Sequence, residues 1–329
     1  MTKLLLTGMI GLCLSAVQVG FAAAQPRKEL PAYALRPGQM IDVGGYRLNL
    51  YCFGSGRPTV VFLSGGAWGA VAWAGVQPGI SQHTRTCSYD RAAMNFSDVG
   101  PVRPTPDQDF RDLAALLERA SVSPPYVLVG WSAGGMLARW YADRHPDEVV
   151  GLVTVDGSDF DFWESPEETT WLAPALEAFR RCADAARKGL LDSDRALFDK
   201  CSGYGNPLPH MPELRRALEP SLHNPDLYAR WLHELENVSE GAATLRGLRR
   251  SFGALPMRVI VAGSHMGNAA ADAAFVQHSF QIASLSTGSR MIVLPGTTHA
   301  IHLDRPDDVN DIIEEVVTLV RRQPPVRAN

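Results

Sequence analysis

A serine set between glycines is the strongest candidate for chemistry in the sequence. The run Gly130-Trp131-Ser132-Ala133-Gly134 stands between an apolar stretch, Tyr126–Val129, and a stretch of helical character. A G-x-S-x-G run between a strand and a helix is typical of a tight turn that exposes the serine hydroxyl as a nucleophile. Glycine is needed at both ends because larger side chains would collide there. We therefore expect Ser132 to attack a carbonyl carbon, while the Ala133 amide stabilises the oxyanion.

A serine hydroxyl is a weak nucleophile unless a base lies within hydrogen-bond reach. His299 follows the apolar stretch Arg290–Leu294 through a short loop. If this stretch and the one before Ser132 are parallel strands of one sheet, the loop opens at the same edge as the serine. We therefore expect His299 to be the general base. His302 is the alternative, and we expect it to pack or to bond locally.

The elements that would position these residues alternate between apolar, β-branched stretches and stretches with helical periodicity. This alternation predicts an α/β fold with a mostly parallel sheet covered on both faces. The predicted strands are Met40–Val43, Tyr46–Phe53, Thr59–Leu63, Thr86–Tyr89, Tyr126–Val129, Val149–Val155, Met257–Ala262 and Arg290–Leu294. The predicted helices around them are Asp107–Ala120, Gly134–Arg144 and Pro306–Arg321.

Residues 158–255 show a different pattern, with helical segments and no strong strand. We interpret them as a helical cap inserted over the site, between core parts 25–157 and 256–329. The alternative is a set of helices that only thicken the core. Aromatic residues are frequent in this segment and suggest an apolar or aromatic ligand group. They include Phe160, Phe162, Trp163, Trp171, Phe179, Tyr204, Tyr228 and Trp231.

Residues 1–24 have the layout of a secretory signal peptide, with Lys3, an apolar stretch and three alanines that end at Ala24. We expect cleavage after Ala24, export to the periplasm or beyond, and no stable membrane association of the mature chain. A retained membrane anchor is the alternative.

Export would leave four cysteines in an oxidising compartment. Proximity in sequence suggests a disulfide between Cys182 and Cys201, which leaves Cys52 for Cys87. Four buried free thiols are the alternative. No CxxC spacing occurs, so a metal site is not expected.

The composition narrows the class of function. The 329 residues are 46% hydrophobic and 20% charged, as in an ordinary globular enzyme, and the formal net charge is -4. Neither this charge nor any run of Lys and Arg points to a nucleic-acid partner. We expect a small-molecule substrate and no metal or organic cofactor.

Three motifs together resemble the α/β-hydrolase superfamily, and its capped serine esterases in particular. They are the strand–GWSAGG–helix turn, the run Ser88–Arg91, and the spacing of glycine, histidine and proline over Gly296–Pro306. The resemblance covers about Ile41 to Val317. It implies an α/β-hydrolase fold and hydrolysis through an acyl-enzyme on Ser132.

The resemblance also implies a second oxyanion donor. Many members carry a His-Gly pair after the third strand, where this chain has Ser64-Gly65-Gly66-Ala67. Glycine still lets the backbone approach a substrate closely, so we expect the Gly66 amide, ahead of Ala67, to be that donor.

The acid of the triad is less obvious, because its usual place after the penultimate strand holds no carboxylate here. Some relatives carry it after the strand that follows the nucleophile's helix, which in this sequence is Asp156. We expect Asp156 to orient His299, with Asp272 or no direct acid as alternatives. Asp90 and Arg91 we expect to form an ion pair or loop hydrogen bonds.

The expected reaction is hydrolysis of a carboxylic ester or lactone of an apolar or aromatic small molecule. A peptidase or amidase of the same fold is one alternative. A non-catalytic ligand-binding protein is the other.

Overall fold

The computed structural model describes residues 30–66, 68–105, 107–158, 166–202, 212–237, 251–264 and 269–323. The predicted signal peptide and Ala67 lie outside these residues. Within them, eight strands form one sheet: β1 Gln39–Asp42, β2 Arg47–Phe53, β3 Thr59–Leu63, β4 Thr86–Tyr89, β5 Tyr126–Trp131, β6 Val149–Val155, β7 Met257–Ala262 and β8 Ser289–Leu294. Each predicted strand agrees with an observed one to within two residues.

Helices connect and cover the strands. They are α1 Gln77–Ile80, α2 Gln108–Arg119, α3 Ala133–Arg144, α4 Pro166–Arg187, α5 Leu190–Ser193, α6 Arg195–Ser202, α7 Pro212–Leu222, α8 Pro225–Glu236, α9 Ala269–Ser284, α10 Ile301–Asp304 and α11 Pro306–Arg322. Short 3-10 helices cover Ala32–Leu35 and Gly69–Trp73.

The strand order is β1-β2-β4-β3-β5-β6-β7-β8. Pairing is antiparallel between β1 and β2 and between β2 and β4, and parallel across the rest of the sheet. Every residue of β3, β4, β5 and β7 is buried. Central parallel strands are covered on both faces and therefore appear in sequence as continuous apolar runs. The predicted α/β fold is confirmed.

Alternate residues of each central strand face opposite layers of helices. In β3, Val60 and Phe62 belong to the apolar cluster that contains Val309, Ile313 and Val316 of α11. Val61 and Leu63 belong to the cluster on the other face, together with residues of α2 and α3. The sheet is thus held rigidly between two layers, and its carboxyl edge is a fixed platform for the loops that leave it.

The helices between β6 and β7, α4 to α8, are named here the inserted helices. They share one apolar cluster that also contains Val71 and Met94, which follow β3 and β4. The contact places the inserted helices against the loops at the carboxyl edge of the sheet. The described parts of residues 158–255 contain helices and no strand, as the sequence pattern predicts.

The aromatic side chains of this segment have a packing role where the structure describes them. Phe179, Tyr228 and Trp231 are buried inside the cluster of the inserted helices. They fill this small core. The number of aromatic residues in this segment is therefore weak evidence for an aromatic ligand. Phe160, Phe162, Trp163 and Tyr204, and the Trp171 side chain, lie outside the described residues.

Two side chains of α8 form hydrogen bonds that connect the inserted helices to loops of the sheet. The Trp231 indole N–H donates to the Ala93 carbonyl at 3.2 Å. The Arg230 guanidinium, which is wholly buried, donates to the Pro101 carbonyl at 2.8 Å. Both carbonyls belong to loops that follow β4.

A cluster of two buried arginines and two half-buried carboxylates adds to this junction. Arg230 lies 3.1 Å from Glu234 of its own helix and 3.5 Å from Asp109 of α2. Arg91 pairs with Asp109 and lies 3.6 Å from Glu234. Burial raises the pKa of Glu234, while the nearby charge of Arg91 lowers it. Arg91 therefore has the ion-pairing role expected of it.

Two disulfides cross-link the described part of the chain, in the pairing that sequence proximity suggests. Cys52 and Cys87 face each other across β2 and β4. Cys182 of α4 is bonded to Cys201 of α6. None of the described helices combines the length and apolar character that a bilayer span requires.

Candidate active site

Ser132 lies at the turn between β5 and α3, at the carboxyl edge of the sheet. Its backbone has φ 53° and ψ -125°, a strained conformation for a residue with a side chain. A Cβ atom on Gly130 would lie 2.3 Å from the Gly134 carbonyl oxygen, so the turn closes only because glycine is present. Ser132 directly precedes α3, and its hydroxyl accepts no capping hydrogen bond from the amides of that described helix. The hydroxyl thus stays available for chemistry.

Asp156 and His299 come together at the same edge. Asp156 directly follows β6, and its Oδ2 lies 2.7 Å from His299 Nδ1. The carboxylate is completely buried, while the imidazole is 33% exposed. Asp156 Oδ1 accepts a hydrogen bond from the Ala262 amide at 2.8 Å. Both carboxylate oxygens are therefore held, which fixes the direction of the bond to the imidazole.

This arrangement sets the tautomer of His299. An ionised carboxylate only accepts hydrogen bonds, so Nδ1 carries the proton and donates to Asp156. The other ring nitrogen, Nε2, then has a free lone pair that can take a proton from a nucleophile.

Trp131 ties the histidine loop to the serine turn. Its indole N–H donates to the His299 carbonyl at 2.8 Å, and the two rings lie 5.2 Å apart between centroids. Trp131 immediately precedes Ser132, and the Ser132 amide donates to the Val155 carbonyl at 3.2 Å, one residue before Asp156. These hydrogen bonds link the turn of Ser132 to the loop of His299 and to the strand that ends at Asp156.

His302 occupies a different environment from His299. Its ring is completely buried and lies 5.0 Å from the ring of Trp73 and 4.6 Å from that of Trp131. Neither ring nitrogen has a hydrogen-bond partner in the described part of the chain. Burial, and secondly the charge of His299, lower the pKa of His302 to about 3. A base enclosed in this way cannot meet a substrate, and of the two roles expected of His302 the structure shows packing.

Asp272, the alternative acid, lies in α9 and accepts a hydrogen bond from the Ser264 hydroxyl at 3.0 Å. The carboxylate at His299 Nδ1 is that of Asp156. The difference follows from position, because Asp156 leaves the sheet edge directly while Asp272 lies within a helix.

The two expected oxyanion donors belong to α3 and to the loop after β3. Ala133 is the first residue of α3, and the first amides of a helix have no partner within it. Gly66 is exposed and lies in the loop after β3, two residues beyond Ser64. A Cβ on the intervening Gly65 would lie 2.8 Å from the Ser132 Cβ, so this loop touches the serine.

The described residues contain no cluster of three or more His, Cys, Asp or Glu placed to hold a metal ion.

Sequence reasoning does not reveal the role of Trp131, although its position beside Ser132 signals contact with the neighbouring loop. Asp90 forms loop hydrogen bonds, one of the two roles expected of it, and accepts from the Ala70 amide in the loop after β3 at 2.6 Å.

The profile of the alpha/beta hydrolase family matches residues 60–312 of the chain. The chain is similar to YqjL of Bacillus subtilis (strain 168), an uncharacterised protein, at 25% identity over 266 residues, which are 80% of this chain and 85% of that protein. YbdG of the same bacterium, also uncharacterised, is 30% identical over 128 residues. The chain covers only 37% of the length of YbdG.

Solved structures share the fold. A thermophilic esterase from Thermogutta terrifontis has a TM-score of 0.59 at 21% identity, over 86% of this chain and 98% of that chain. The enol-lactonase from Burkholderia xenovorans LB400 has a TM-score of 0.59 at 19% identity, over 85% and 100%. The sheet order, the turn at Ser132 and a family profile that spans most of the sequence agree, and this chain belongs to the alpha/beta hydrolase family.

Proposed function

We propose that the protein is a serine hydrolase that cleaves a carboxylic ester or lactone of an apolar or aromatic small molecule. The single observation that supports this most is the bond of 2.7 Å between buried Asp156 and His299 beside the strained turn of Ser132. Family membership supports the coarser statement that the protein is a hydrolase.

In the proposed mechanism, His299 Nε2 takes the proton of the Ser132 hydroxyl as Oγ attacks the substrate carbonyl. The Ala133 and Gly66 amides donate to the oxyanion that forms. The imidazolium, stabilised by Asp156, then gives its proton to the leaving alcohol. Water attacks the acyl-enzyme with His299 again as base, which releases the acid and restores the serine.

The choice of ester or lactone is supported by the chemistry named for proteins of similar structure, an esterase and an enol-lactonase. We propose that the inserted helices form a cap over the site, because their apolar cluster includes residues that follow β3 and β4. Half-buried Trp68 packs edge-on against Trp131, the residue before Ser132, and offers an apolar surface to a substrate.

We also propose that the chain is exported after removal of residues 1–24. The two disulfides support this proposal, because disulfides persist in oxidising compartments and are rare in the cytosol. Amino-terminal sequencing of the protein isolated from its native host should give Gln25 as the first residue. Recovery of the protein with its first 24 residues intact would contradict the proposal.

Labelling with a fluorophosphonate probe tests the nucleophile. The wild type should react covalently and Ser132→Ala should not. Ser158→Ala is the matched control, since Ser158 lies close by and its amide donates to the Ser132 carbonyl, while its hydroxyl has no part in the mechanism. An unlabelled wild type would favour the alternative of a ligand-binding protein without turnover.

A substrate panel tests the reaction class. p-Nitrophenyl esters of graded chain length, lactones and aminoacyl anilides should be compared by kcat/KM. We expect the esters or lactones to be cleaved faster than the anilides. Preference for the anilides would replace the proposed esterase by a peptidase or amidase.

A further inference from the structure

The loop that carries the Gly66 amide is held by side chains that have no part in the mechanism above. The described residues 64–66 and 68–70 are named here the oxyanion loop. The Trp68 carbonyl accepts a hydrogen bond from Asn95 Nδ2 at 2.8 Å. The Ala70 amide donates to Asp90 Oδ1 at 2.6 Å, and the Ser64 hydroxyl donates to the Gly69 carbonyl. The backbone of three consecutive residues is thus tied to side chains.

Asp90 is the centre of this network. It directly follows β4, which pairs with β3 in parallel, and it is 1% exposed. Its Oδ1 also accepts from Asn95 Nδ2 at 3.0 Å, and its Oδ2 accepts from Asn49 Nδ2 at 2.6 Å and from the Phe96 amide at 3.3 Å. Burial raises the pKa of Asp90, while these hydrogen bonds favour the ionised form. A carboxylate with four donors is a rigid anchor.

The contact between anchor and loop is too close for any residue but glycine. Gly69 has φ +62°, and a Cβ there would lie 2.2 Å from Asp90 Oδ1 and 2.3 Å from Asn95 Nδ2. At the other end of the loop, a Cβ on Gly65 would lie 2.8 Å from the Ser132 Cβ. The same short loop is therefore fixed to Asp90 and Asn95 at one end and touches the nucleophile at the other.

We propose that Asp90 and Asn95 are positioning residues that hold the oxyanion loop in place, so that the Gly66 amide is directed at the oxyanion before substrate binds. Donors stabilise a transition state most when their orientation is fixed in advance. Neither side chain contacts the substrate, and the two act only through the loop. The catalytic part of this inference rests on the proposed function.

Asn95→Gly tests the inference, because Asn95 has φ 40° and glycine accepts this conformation without strain. The change removes the donor to Trp68 and leaves Asp90 with its other donors. We expect kcat to fall about 10- to 100-fold with KM within about twofold, less than the roughly 10²- to 10³-fold loss on deleting an oxyanion donor outright.

Ala93→Gly is the matched control. Ala93 lies in the same turn with φ 62°, so this change adds equal backbone freedom without removing a side-chain hydrogen bond to the oxyanion loop. Its kcat should stay within about twofold of the wild type. An equal fall of kcat in both variants would overturn the inference, because loosening of the turn alone would then explain the effect.

Hydrogen exchange provides a readout that does not depend on activity. A peptide covering residues 64–70 should exchange faster in Asn95→Gly and at the wild-type rate in Ala93→Gly. Unchanged exchange in Asn95→Gly, or faster exchange with unchanged kcat, would overturn the inference. A wild type inert to esters and to the fluorophosphonate would instead overturn the proposed function, and exchange would still decide whether Asn95 holds the loop.

Discussion

Lowering the pH from about 7.5 to about 5 should cost the folded protein about 2 kcal/mol of unfolding free energy through His302 alone. The imidazole is completely buried, and burial lowers its pKa to about 3. In the unfolded chain, a histidine titrates near its ordinary pKa of about 6.5. The folded state therefore keeps His302 neutral in a range where the unfolded state binds a proton.

The sign follows from which state takes up the proton. Above about pH 6.5 both states hold neutral His302, and its stabilising contribution is fully present. As the pH falls towards 3, protonation favours the unfolded state, by about 1.4 kcal/mol for each pH unit below 6.5. At about pH 5 this amounts to about 2 kcal/mol, or roughly a 30-fold change in the unfolding equilibrium.

The contribution of His302 can be isolated by urea unfolding. The unfolding free energies of the wild type and of His302→Phe are each measured at about pH 7.5 and at about pH 5. Phenylalanine suits the site, because the imidazole packs 5.0 Å from the ring of Trp73 and 4.6 Å from that of Trp131. The wild type should lose about 2 kcal/mol more than the variant on acidification. All other titrating groups are common to both proteins and cancel in the comparison.

A second histidine serves as the control. His83 is 54% exposed, and an exposed ion pair such as the one it makes with Glu314 contributes little. His83→Gln should therefore keep the pH dependence of the wild type. If His302→Phe also kept it, the reasoning that His302 is buried and neutral would be refuted.

Three further predictions concern the site and the disulfide of the inserted helices. Asp156→Asn should lower kcat for an ester about 10³- to 10⁴-fold while the protein stays folded, because an amide can donate to His299 Nδ1 and favour the wrong tautomer; a loss below tenfold would exclude Asp156 as the triad acid. Trp131→Phe should cost about 2 kcal/mol in urea unfolding, since the His299 carbonyl loses its donor at 2.8 Å; unchanged stability would show that this bond does not hold the loop. Replacing Cys182 and Cys201 by serine should cost about 3 kcal/mol, because their disulfide closes a loop with a sequence separation of 19; an equal midpoint of unfolding would contradict this.

The sheet could be predicted from sequence because its central strands are buried on both faces. Thr59–Leu63 and Val149–Val155 are continuous apolar runs whose bounds the structure reproduces without change. Parallel strands present their carboxyl ends at one edge, so residues that follow them were expected to meet there. Asp156 and His299 come together in this way although 143 residues separate them.

Other features depend on contacts that no local pattern reveals. The burial of His302 among tryptophan rings arises from segments far apart in the chain, around Trp73 and Trp131. Composition also cannot tell whether an aromatic residue of an inserted helix faces a ligand or its own core. Tyr228 and Trp231 face the core.

Each of the two disulfides closes within one part of the molecule. Cys52–Cys87 joins two strands of the sheet, and Cys182–Cys201 joins two of the inserted helices. Replacing the segment between β6 and β7 with that of another protein would therefore remove both Cys182 and Cys201. It would keep both Cys52 and Cys87. Recombination at these borders leaves no orphan thiol, so we expect that chimaeras could be built to change specificity while the oxidative folding of the sheet is preserved.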